Sequence, residues 1–149
     1  MARIYLSASF PRRDEMRGVR DILVHGMGHT VTSRWIDQQE TALGTDNLSV
    51  RDGSELARRD IEDIIHSTCF MMFTGDTGTR GGRHTEFGFW LANLSLVPVF
   101  GLETIVVGPL ENPFQGFDFV RHYDSWFSAS VALWSAYNQN LKYIKSMEN

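Results

Sequence analysis

Hydrophobic positions along the chain form two patterns: short apolar runs, and apolar residues at helical spacing. The runs predict strands at residues 3–9, 30–36, 69–74 and 104–108. The spacing predicts a helix that starts at residue 11 and stops at 25–29, and further helices at about 55–67, 84–93 and 126–143. Ser54 is the expected cap of the second helix, and Leu56, Ile61, Ile64 and Ile65 are its expected apolar stripe. Strands that alternate with helices indicate an α/β fold, a parallel sheet with helices on both faces.

Polar residues and glycines are concentrated where the predicted strands end, at residues 7–9, 34–36, 75 onward and 108–112. Ligands of open parallel sheets bind beyond the carboxyl ends of the strands, so we expect a binding site at this edge. Ser7 and Ser9 lie at the end of the first predicted strand and are candidates for this site. Trp35 fits two interpretations equally well, a ring that stacks on a ligand or a packed core side chain.

Residues 76–90 read DTGTRGGRHTEFGFW, a glycine-rich loop that turns abruptly apolar. The loop has neither the Gly-Lys-Ser/Thr of a phosphate-binding P-loop nor the G-x-G-x-x-G of a dinucleotide site. Its backbone N–H groups could line an anion with help from Arg80 and Arg83. The alternative is an exposed loop with scattered charge.

Glu86 is the carboxylate in this segment that invites a chemical role. A helix that starts near His84 places Glu86 in its first turn, where a plain helix-start glutamate is also favoured. Its apolar neighbours and its place after a buried strand instead suggest a nucleophile, a general base or a stabiliser of a cationic transition state. Asp60 lies on the preceding helix and could border the core and face the strand ends. Glu62 and Asp63 are expected to be solvated.

Composition narrows the class of protein. A chain of 149 residues with 42% hydrophobic and 21% charged residues fits a single domain, 1–149, that buries roughly 70% of its unfolded surface. A net charge of −4 argues against a nucleic-acid polymer as partner. No apolar run reaches the ~18 residues of a membrane span, and the first residues lack the layout of a signal peptide. We therefore expect a cytoplasmic enzyme or binding domain.

Other reactive side chains favour structural roles. The single cysteine, Cys69, begins an apolar run and is expected in the core; alone, it rules out an internal disulfide and a cysteine-built metal site. His25 and His29 are four residues apart, but the glycines between them break the helix that would align a metal pair. Met71 and Met72 are also expected in the core. No metal or organic cofactor is predicted.

Six segments of the chain, considered together, resemble the nucleoside 2-deoxyribosyltransferase superfamily, which includes 2′-deoxynucleoside 5′-monophosphate N-glycosidases. They are RIYLSASFPRRDE, GHTVTSRWID, ARRDIEDI, GGRHTEFGFWLA, VVGPLENPF and YDSW. The resemblance runs from Arg3 to about Ala129 and is most specific at Gly-Gly-Arg-His-x-Glu-x-Gly. It implies a flavodoxin-like (Rossmann-like) three-layer sandwich and a retaining double displacement. Two departures are Ser67-Thr68, where the family often has Ala-Asp, and a longer apolar stretch at residues 93–102.

The resemblance also implies roles for individual residues. Glu86 matches the family nucleophile, Asp60 the aspartate that binds a sugar hydroxyl and assists proton transfer to the leaving base, and Tyr5 the tyrosine that orients the nucleophile. The matching substrate-binding positions are Ser7, Ser9, Trp35, Gly82, Arg83 and Asn112. Ser9 falls near the sugar 5′ end, and Trp35 falls in the base pocket. Asn112 falls where family members reach into a neighbouring subunit's site, so a homodimer or larger homo-oligomer is implied, with sites near the interface.

Three functions remain open at this stage. The first is transfer of 2-deoxyribose between nucleobases, with a nucleoside and a free base as partners. The second is hydrolysis of a 2′-deoxynucleoside 5′-monophosphate to base and sugar phosphate, for which Ser9, Arg12, Arg80 and Arg83 could supply a phosphate pocket. The third is a nucleotide-binding module without catalysis.

Overall fold

A computed structural model describes residues 1–38, 50–76, 81–96 and 101–147. In this part of the chain five strands form one sheet in the order β2-β1-β3-β4-β5, and every neighbouring pair is parallel. The strands are β1 (Arg3–Ser7), β2 (Thr30–Val31), β3 (Cys69–Phe73), β4 (Glu103–Val107) and β5 (Val120–Tyr123). This is the flavodoxin-like strand order, so the predicted α/β fold with a parallel sheet is confirmed.

Four α-helices accompany the sheet in the described residues: α1 (Arg13–Asp21), α2 (Val50–Ile65), α3 (Gly82–Leu96) and α4 (Trp126–Met147). A π-helical turn, Ile22–Gly26, follows α1, and 3₁₀ helices span Phe10–Arg12, Arg34–Asp37 and Pro113–Gly116. None of these helices combines the length and the hydropathy that crossing a bilayer requires.

The core is built around β3, whose five residues are all buried. Cys69, Met71 and Met72 lie in it as predicted. The ring of Phe70 stacks on Tyr5 of β1 and on Trp90 of α3, with centroids 5.5 and 5.7 Å apart. These contacts fix the position of α3 relative to β1 and β3, and thereby the position of Glu86.

The second strand is much shorter than the predicted 30–36. After Val31 the chain leaves the sheet and forms a 3₁₀ helix. Side-chain hydrogen bonds stabilise this departure. The Ser33 hydroxyl oxygen accepts from the backbone N–H of Leu6 at 2.6 Å, and the backbone N–H of Arg34 donates to Asp63 at 2.9 Å. The predicted strand at residues 30–36 is therefore wrong beyond Val31. The last residues of this range pack against β1 and α2 and do not pair with a neighbouring strand.

Strand β5 was not predicted, because only Val120 of its four residues is buried. An edge strand with polar, exposed side chains has no apolar pattern.

Helix α2 begins at Val50, earlier than predicted, so Ser54 lies inside the helix and is not its cap. Its expected apolar stripe is also partly wrong, since Ile61 and Ile65 are 40% and 52% exposed.

Asp63 is buried, in contrast to the solvated position expected for it. It accepts hydrogen bonds from the backbone N–H and from Nε of Arg34, the second at 2.7 Å. A buried carboxylate needs such partners because desolvation of an unpaired charge is costly. Glu62 on the same helix is half-buried and pairs with Arg34 and Arg58. The Arg34–Asp63 contact was not predicted, because residues 30–36 were expected to form a strand and Arg34 instead lies in a 3₁₀ helix.

Candidate active site

The candidate site lies at the carboxyl ends of β1 and β3, where α3 begins. Glu86 is the fifth residue of α3, because this helix starts at Gly82 and not near His84 as predicted. Glu86 therefore lies past the first turn, and the helix dipole contributes little at its position. A side-chain contact holds it instead, since the Ser7 hydroxyl donates to Glu86 Oε2 at 2.6 Å.

The environment of Glu86 disfavours its charged form. Burial raises the pKa of this carboxyl to about 7 and is opposed by the hydrogen bond from Ser7. The charge of Asp60 raises the pKa further, and the nearby Tyr5 hydroxyl lowers it. A carboxyl with a pKa near neutrality is present in both protonation states at physiological pH, which suits a group that must gain or lose charge during a reaction.

Tyr5 contributes a fully buried hydroxyl to the same place. Burial raises its pKa well above the ordinary range, and the charges of Glu86 and Asp60 raise it further. The hydroxyl therefore stays protonated and is a permanent hydrogen-bond donor. It lies close enough to Glu86 to affect the pKa of that carboxyl, but it makes no hydrogen bond of normal geometry within the described residues.

Asp60 faces the same region from α2. Its Oδ1 atom is buried and has no hydrogen-bond partner within the described residues. Burial raises the pKa of Asp60 to about 6, and the charge of Asp63 adds to this against the opposing charge of Arg34. Buried polar atoms are usually paired, so an unpaired tyrosine hydroxyl and an unpaired carboxylate oxygen next to Glu86 are typical of a site that receives a polar ligand.

A second polar cluster lies at the outer end of the site, around the buried guanidinium of Arg83. Arg83 Nη1 donates to Asp76 Oδ2 at 3.1 Å, and Arg83 Nη2 donates to Glu111 Oε1 at 2.6 Å. Asp76 also accepts from the Ser9 hydroxyl at 2.5 Å, and Glu111 accepts from the backbone N–H of Gly75 at 2.9 Å. The cluster ties together the loops after β1, β3 and β4 and the start of α3.

Three further candidates occupy different environments. Trp35 is only 6% exposed and its Nε1 donates to the carbonyl of Leu6 at 2.8 Å, so it packs in the core. Asn112 caps a 3₁₀ helix through Oδ1, and its amide nitrogen lies 3.1 Å from Nδ1 of His84 in the same chain. Gly82 begins α3 directly after Gly81, whose φ of 79° is a left-handed conformation that favours glycine.

The structure thus brings Tyr5, Ser7, Glu86 and Asp60 together, with Ser9 and Arg83 at the outer end. Arg80 and most of the loop before it lie outside the described residues, as do residues 97–100 of the apolar stretch. Sequence reasoning missed Asp76 and Glu111. Both could have been identified from the sequence, since each acid follows a central strand and a buried arginine such as Arg83 requires carboxylate partners. No three His, Cys, Asp or Glu side chains in the described segments are arranged to hold a metal ion.

Comparisons with known proteins add information about the fold. No protein-family model and no curated protein matches this sequence. Among solved structures, the chain is similar to the CMP N-glycosidase BcmB of Clostridium botulinum, with a TM-score of 0.52 and 16% sequence identity. The match covers 88% of this chain and 97% of that chain. At this identity the similarity establishes a common fold, in which this chain has Glu86, Asp60 and Tyr5 at the carboxyl ends of its central strands.

Proposed function

We propose that this protein is an enzyme that cleaves the N-glycosidic bond of nucleosides or nucleotides, with Glu86 as the nucleophile. The observation that carries the proposal is the Glu86 carboxyl, held by Ser7 at 2.6 Å beside the unpaired polar atoms of Tyr5 and Asp60. The fold shared with a CMP N-glycosidase supports the same reaction class.

The chemistry follows from the charge that this reaction creates. Breaking an N-glycosidic bond builds positive charge on the anomeric carbon and ring oxygen, which an ionised carboxylate stabilises. The hydrogen bond from Ser7 occupies Oε2 and leaves Oε1 of Glu86 as the attacking oxygen. The attack forms a glycosyl ester as the bond to the base breaks. A second base or a water molecule then takes the sugar from Glu86.

Asp60 supplies the proton that the departing base needs. With its pKa raised to about 6 by burial, part of the Asp60 population is protonated near neutral pH. A general acid whose pKa lies close to the working pH is efficient in proton transfer. Tyr5 stays protonated, and its hydroxyl can donate to the Glu86 carboxylate and help to orient it. These steps use only side chains of this chain.

Two acceptors for the glycosyl ester define two candidate reactions. Transfer of 2-deoxyribose to another nucleobase is the first. Hydrolysis of a nucleoside 5′-monophosphate is the second, and it is favoured by the similarity to an enzyme that acts on CMP. A cytoplasmic location and a homo-oligomer with sites near the interface remain predictions. Asn112, which the family resemblance assigns to a neighbouring subunit's site, is engaged here within its own chain.

The test follows bases by chromatography. The protein is incubated with deoxyinosine plus adenine or cytosine and, in parallel, with deoxynucleoside monophosphates and CMP. A new deoxynucleoside identifies the transferase, whereas free base released from monophosphates identifies the hydrolase. A ligand that binds without turnover would indicate the binding module.

Glu86→Ala is expected to lower the rate at least ~10³-fold, which corresponds to about 4 kcal/mol of transition-state stabilisation. Glu103→Ala is the matched control, since Glu103 is a half-buried glutamate at the amino end of β4, whereas the candidate site lies at the carboxyl ends of the strands. Retention of more than a tenth of the activity by the Glu86 variant would contradict the nucleophile assignment.

A further inference from the structure

Helix α2 carries two carboxylates three residues apart, the half-buried Asp60 and the buried Asp63. We propose that Asp63 is a positioning residue for the proton donor: Asp63 carries the negative charge of the pair, so that the proton stays on Asp60. This inference rests on the proposed glycosidic cleavage and identifies the residue that prepares Asp60 for its part in it.

The hydrogen bonds of Asp63 assign the negative charge to it. Asp63 Oδ2 accepts from the backbone N–H of Arg34 at 2.9 Å, and Asp63 Oδ1 accepts from Nε of Arg34 at 2.7 Å. The Asp63 side chain is only 8% exposed. A buried carboxylate whose two oxygens are both paired with N–H groups, one of them cationic, is stabilised in its ionised form. Asp60 Oδ1 is also buried but accepts no hydrogen bond within the described residues, so the Asp60 carboxyl lacks this stabilisation.

Arg34 also fixes the turn of α2 that carries both carboxylates. Its Nη2 donates to the carbonyl of Arg59 and to Glu62 Oε2, each at 3.1 Å. These contacts lie on either side of Asp60 in the sequence and hold this turn against the 3₁₀ helix that contains Arg34. Residues three apart on a helix have Cβ atoms about 5–6 Å from each other. Two negative charges at this separation disfavour each other, so ionised Asp63 makes it harder for Asp60 to ionise.

Charged and titratable groups face Asp60 from four elements. The pKa of Asp60 is raised to about 6, by burial first and by the charge of Asp63 second, against the opposing charge of Arg34. Glu86 on α3 and Asp60 disfavour each other's charge, whereas Tyr5 on β1 stays protonated and contributes none. Of the two carboxylates beside Asp60, only Asp63 has its charge held by an ion pair within the described residues. Asp63 therefore acts on Asp60 throughout the pH range in which Asp60 and Glu86 titrate.

The proton on Asp60 is needed when the base departs. As the bond between the anomeric carbon and the base nitrogen breaks, its electron pair stays on the base, and the Asp60 O–H gives its proton to the base. Asp60 is then a carboxylate, and it takes a proton back from the water molecule or the incoming base that attacks the glycosyl ester. An aspartate with the ordinary pKa of about 3.9 would be almost fully ionised at neutral pH and would have no proton to give.

Asp63→Asn tests the proposal through the pH dependence of kcat/KM for base release. The variant removes the neighbouring negative charge and frees the positive charge of Arg34, and both changes favour ionised Asp60. The alkaline limb of the profile should therefore move to lower pH by at least ~0.5 pH unit, with a rate at least about threefold lower along that limb. On the acidic limb Asp60 is protonated in both proteins, and the two rates should agree. A merely structural role of Asp63 would instead lower the rate by the same factor at every pH.

Glu62→Gln is the matched control. Glu62 precedes Asp63 on α2 and pairs with the same arginine, but its side chain is 39% exposed. The alkaline limb of this variant should stay within ~0.2 pH unit of wild type, because solvent screens an exposed charge.

Titration of the carboxyl carbons by NMR needs no substrate and so separates this proposal from the proposed function. The protein carries isotopically labelled aspartate and the substitution Glu86→Gln, which removes the titration of the nucleophile. The Asp60 signal is the one that Asp60→Asn abolishes. We expect Asp60 to lose its proton at a higher pH than Asp63 does, and at a pH lower by at least ~0.5 unit once Asp63→Asn is added.

The outcomes distinguish the two proposals. An Asp60 titration that Asp63→Asn leaves unchanged, or an alkaline limb that does not move, would overturn the role of Asp63 and leave the glycosidase intact. If Asp63→Asn does not fold, the order of proton loss decides, and loss from Asp60 before Asp63 would overturn the proposal. The expected titrations in a protein that releases no base would support the effect of Asp63 on Asp60 and overturn the glycosidase. The expected titrations together with the moved alkaline limb would support both.

Discussion

The burial of Glu86 leads to a prediction about the free energy of unfolding, which can be tested without a substrate. Burial raises the pKa of this carboxyl from 4.5 to about 7 in the folded protein. Each unit of pKa difference corresponds to about 1.4 kcal/mol, so ionised Glu86 destabilises the fold by at most roughly 3–4 kcal/mol. The side chain is half-buried, and screening by solvent reduces the expected value to between about 1 and 3 kcal/mol.

The sign of the effect follows from proton binding. Below about pH 4.5 the Glu86 carboxyl is protonated in both states, and its ionisation does not affect stability. Between about pH 4.5 and about pH 7 the unfolded chain has released this proton while the folded protein retains it, so stability falls as the pH rises. Glu86→Gln removes the ionisable group and keeps the size and an acceptor for Ser7. The variant should therefore gain stability relative to wild type as the pH rises.

The assay is guanidinium unfolding of wild type and Glu86→Gln at about pH 4 and about pH 8, comparing the difference in unfolding free energy at the two values. We expect the variant's advantage to be about 1–3 kcal/mol larger at the higher pH. Glu15→Gln serves as the control for the substitution itself, because Glu15 is an exposed glutamate that pairs with Arg12. An advantage of Glu86→Gln that is equal at both pH values, or smaller at pH 8, would refute the reasoning.

Two further variants test the contacts around the site. Ser7→Ala removes the hydrogen bond that lowers the pKa of Glu86, so the acidic limb of the pH–rate profile for base release should move to higher pH; a limb that stays in place would argue against Ser7 as the group that holds Glu86. Arg83→Met leaves the two carboxylates that Arg83 bridges without a cation, and guanidinium unfolding should show a loss of roughly 3–5 kcal/mol. Arg121→Met, which breaks an exposed pair with Glu103, should cost less than about 1 kcal/mol. Equal losses in the two arginine variants would mean that the Arg83 cluster does not stabilise the fold.

The parts of the fold that the sequence predicted are those in which burial alone determines the pattern. Residues 69–73 form an uninterrupted apolar run, because β3 has a neighbouring strand on each side and both of its faces are covered. The same holds for most of β1 and β4. Once these strands and the helices between them are recognised, the parallel arrangement follows from the chain connections.

The errors in the predicted fold have a different origin. Strand β5 lies at the edge of the sheet and needs only one buried side chain, so its residues carry no apolar pattern. The first residues of α2 after Val50 are also largely polar and exposed, as at Arg51, Asp52 and Ser54, so they carry no apolar pattern either. Whether such polar residues join a strand or a helix depends partly on which elements become neighbours in space, and local hydrophobic patterns do not contain that information.

The candidate site was predictable to a similar degree. Glu86 and Asp60 were identified from their apolar surroundings and from the family resemblance. The contact between Ser7 and Glu86 joins residues 79 positions apart, and sequence reasoning placed Ser7 only generally in the site. Arg83 was predicted as a free cation for an anion, whereas Asp76 and Glu111 already neutralise it. The partners of a charged side chain decide whether it is available, and those of Arg83 come from two separate loops, after β3 and after β4.

The distribution of countercharges distinguishes the two ends of the site. At the outer end, Asp76 and Glu111 are paired with Arg83, as buried carboxylates usually are. At the inner end, neither Glu86 nor Asp60 forms an ion pair within the described residues, and the pKa of each is raised mainly by burial. An arginine beside Glu86 would stabilise the fold, but it would also repel the positive charge that develops on a sugar during glycosidic cleavage. If Glu86 acts as proposed, the positive charge of the transition state is the countercharge that the folded protein lacks beside Glu86. The destabilisation expected for ionised Glu86 and its catalytic role would then have the same physical cause.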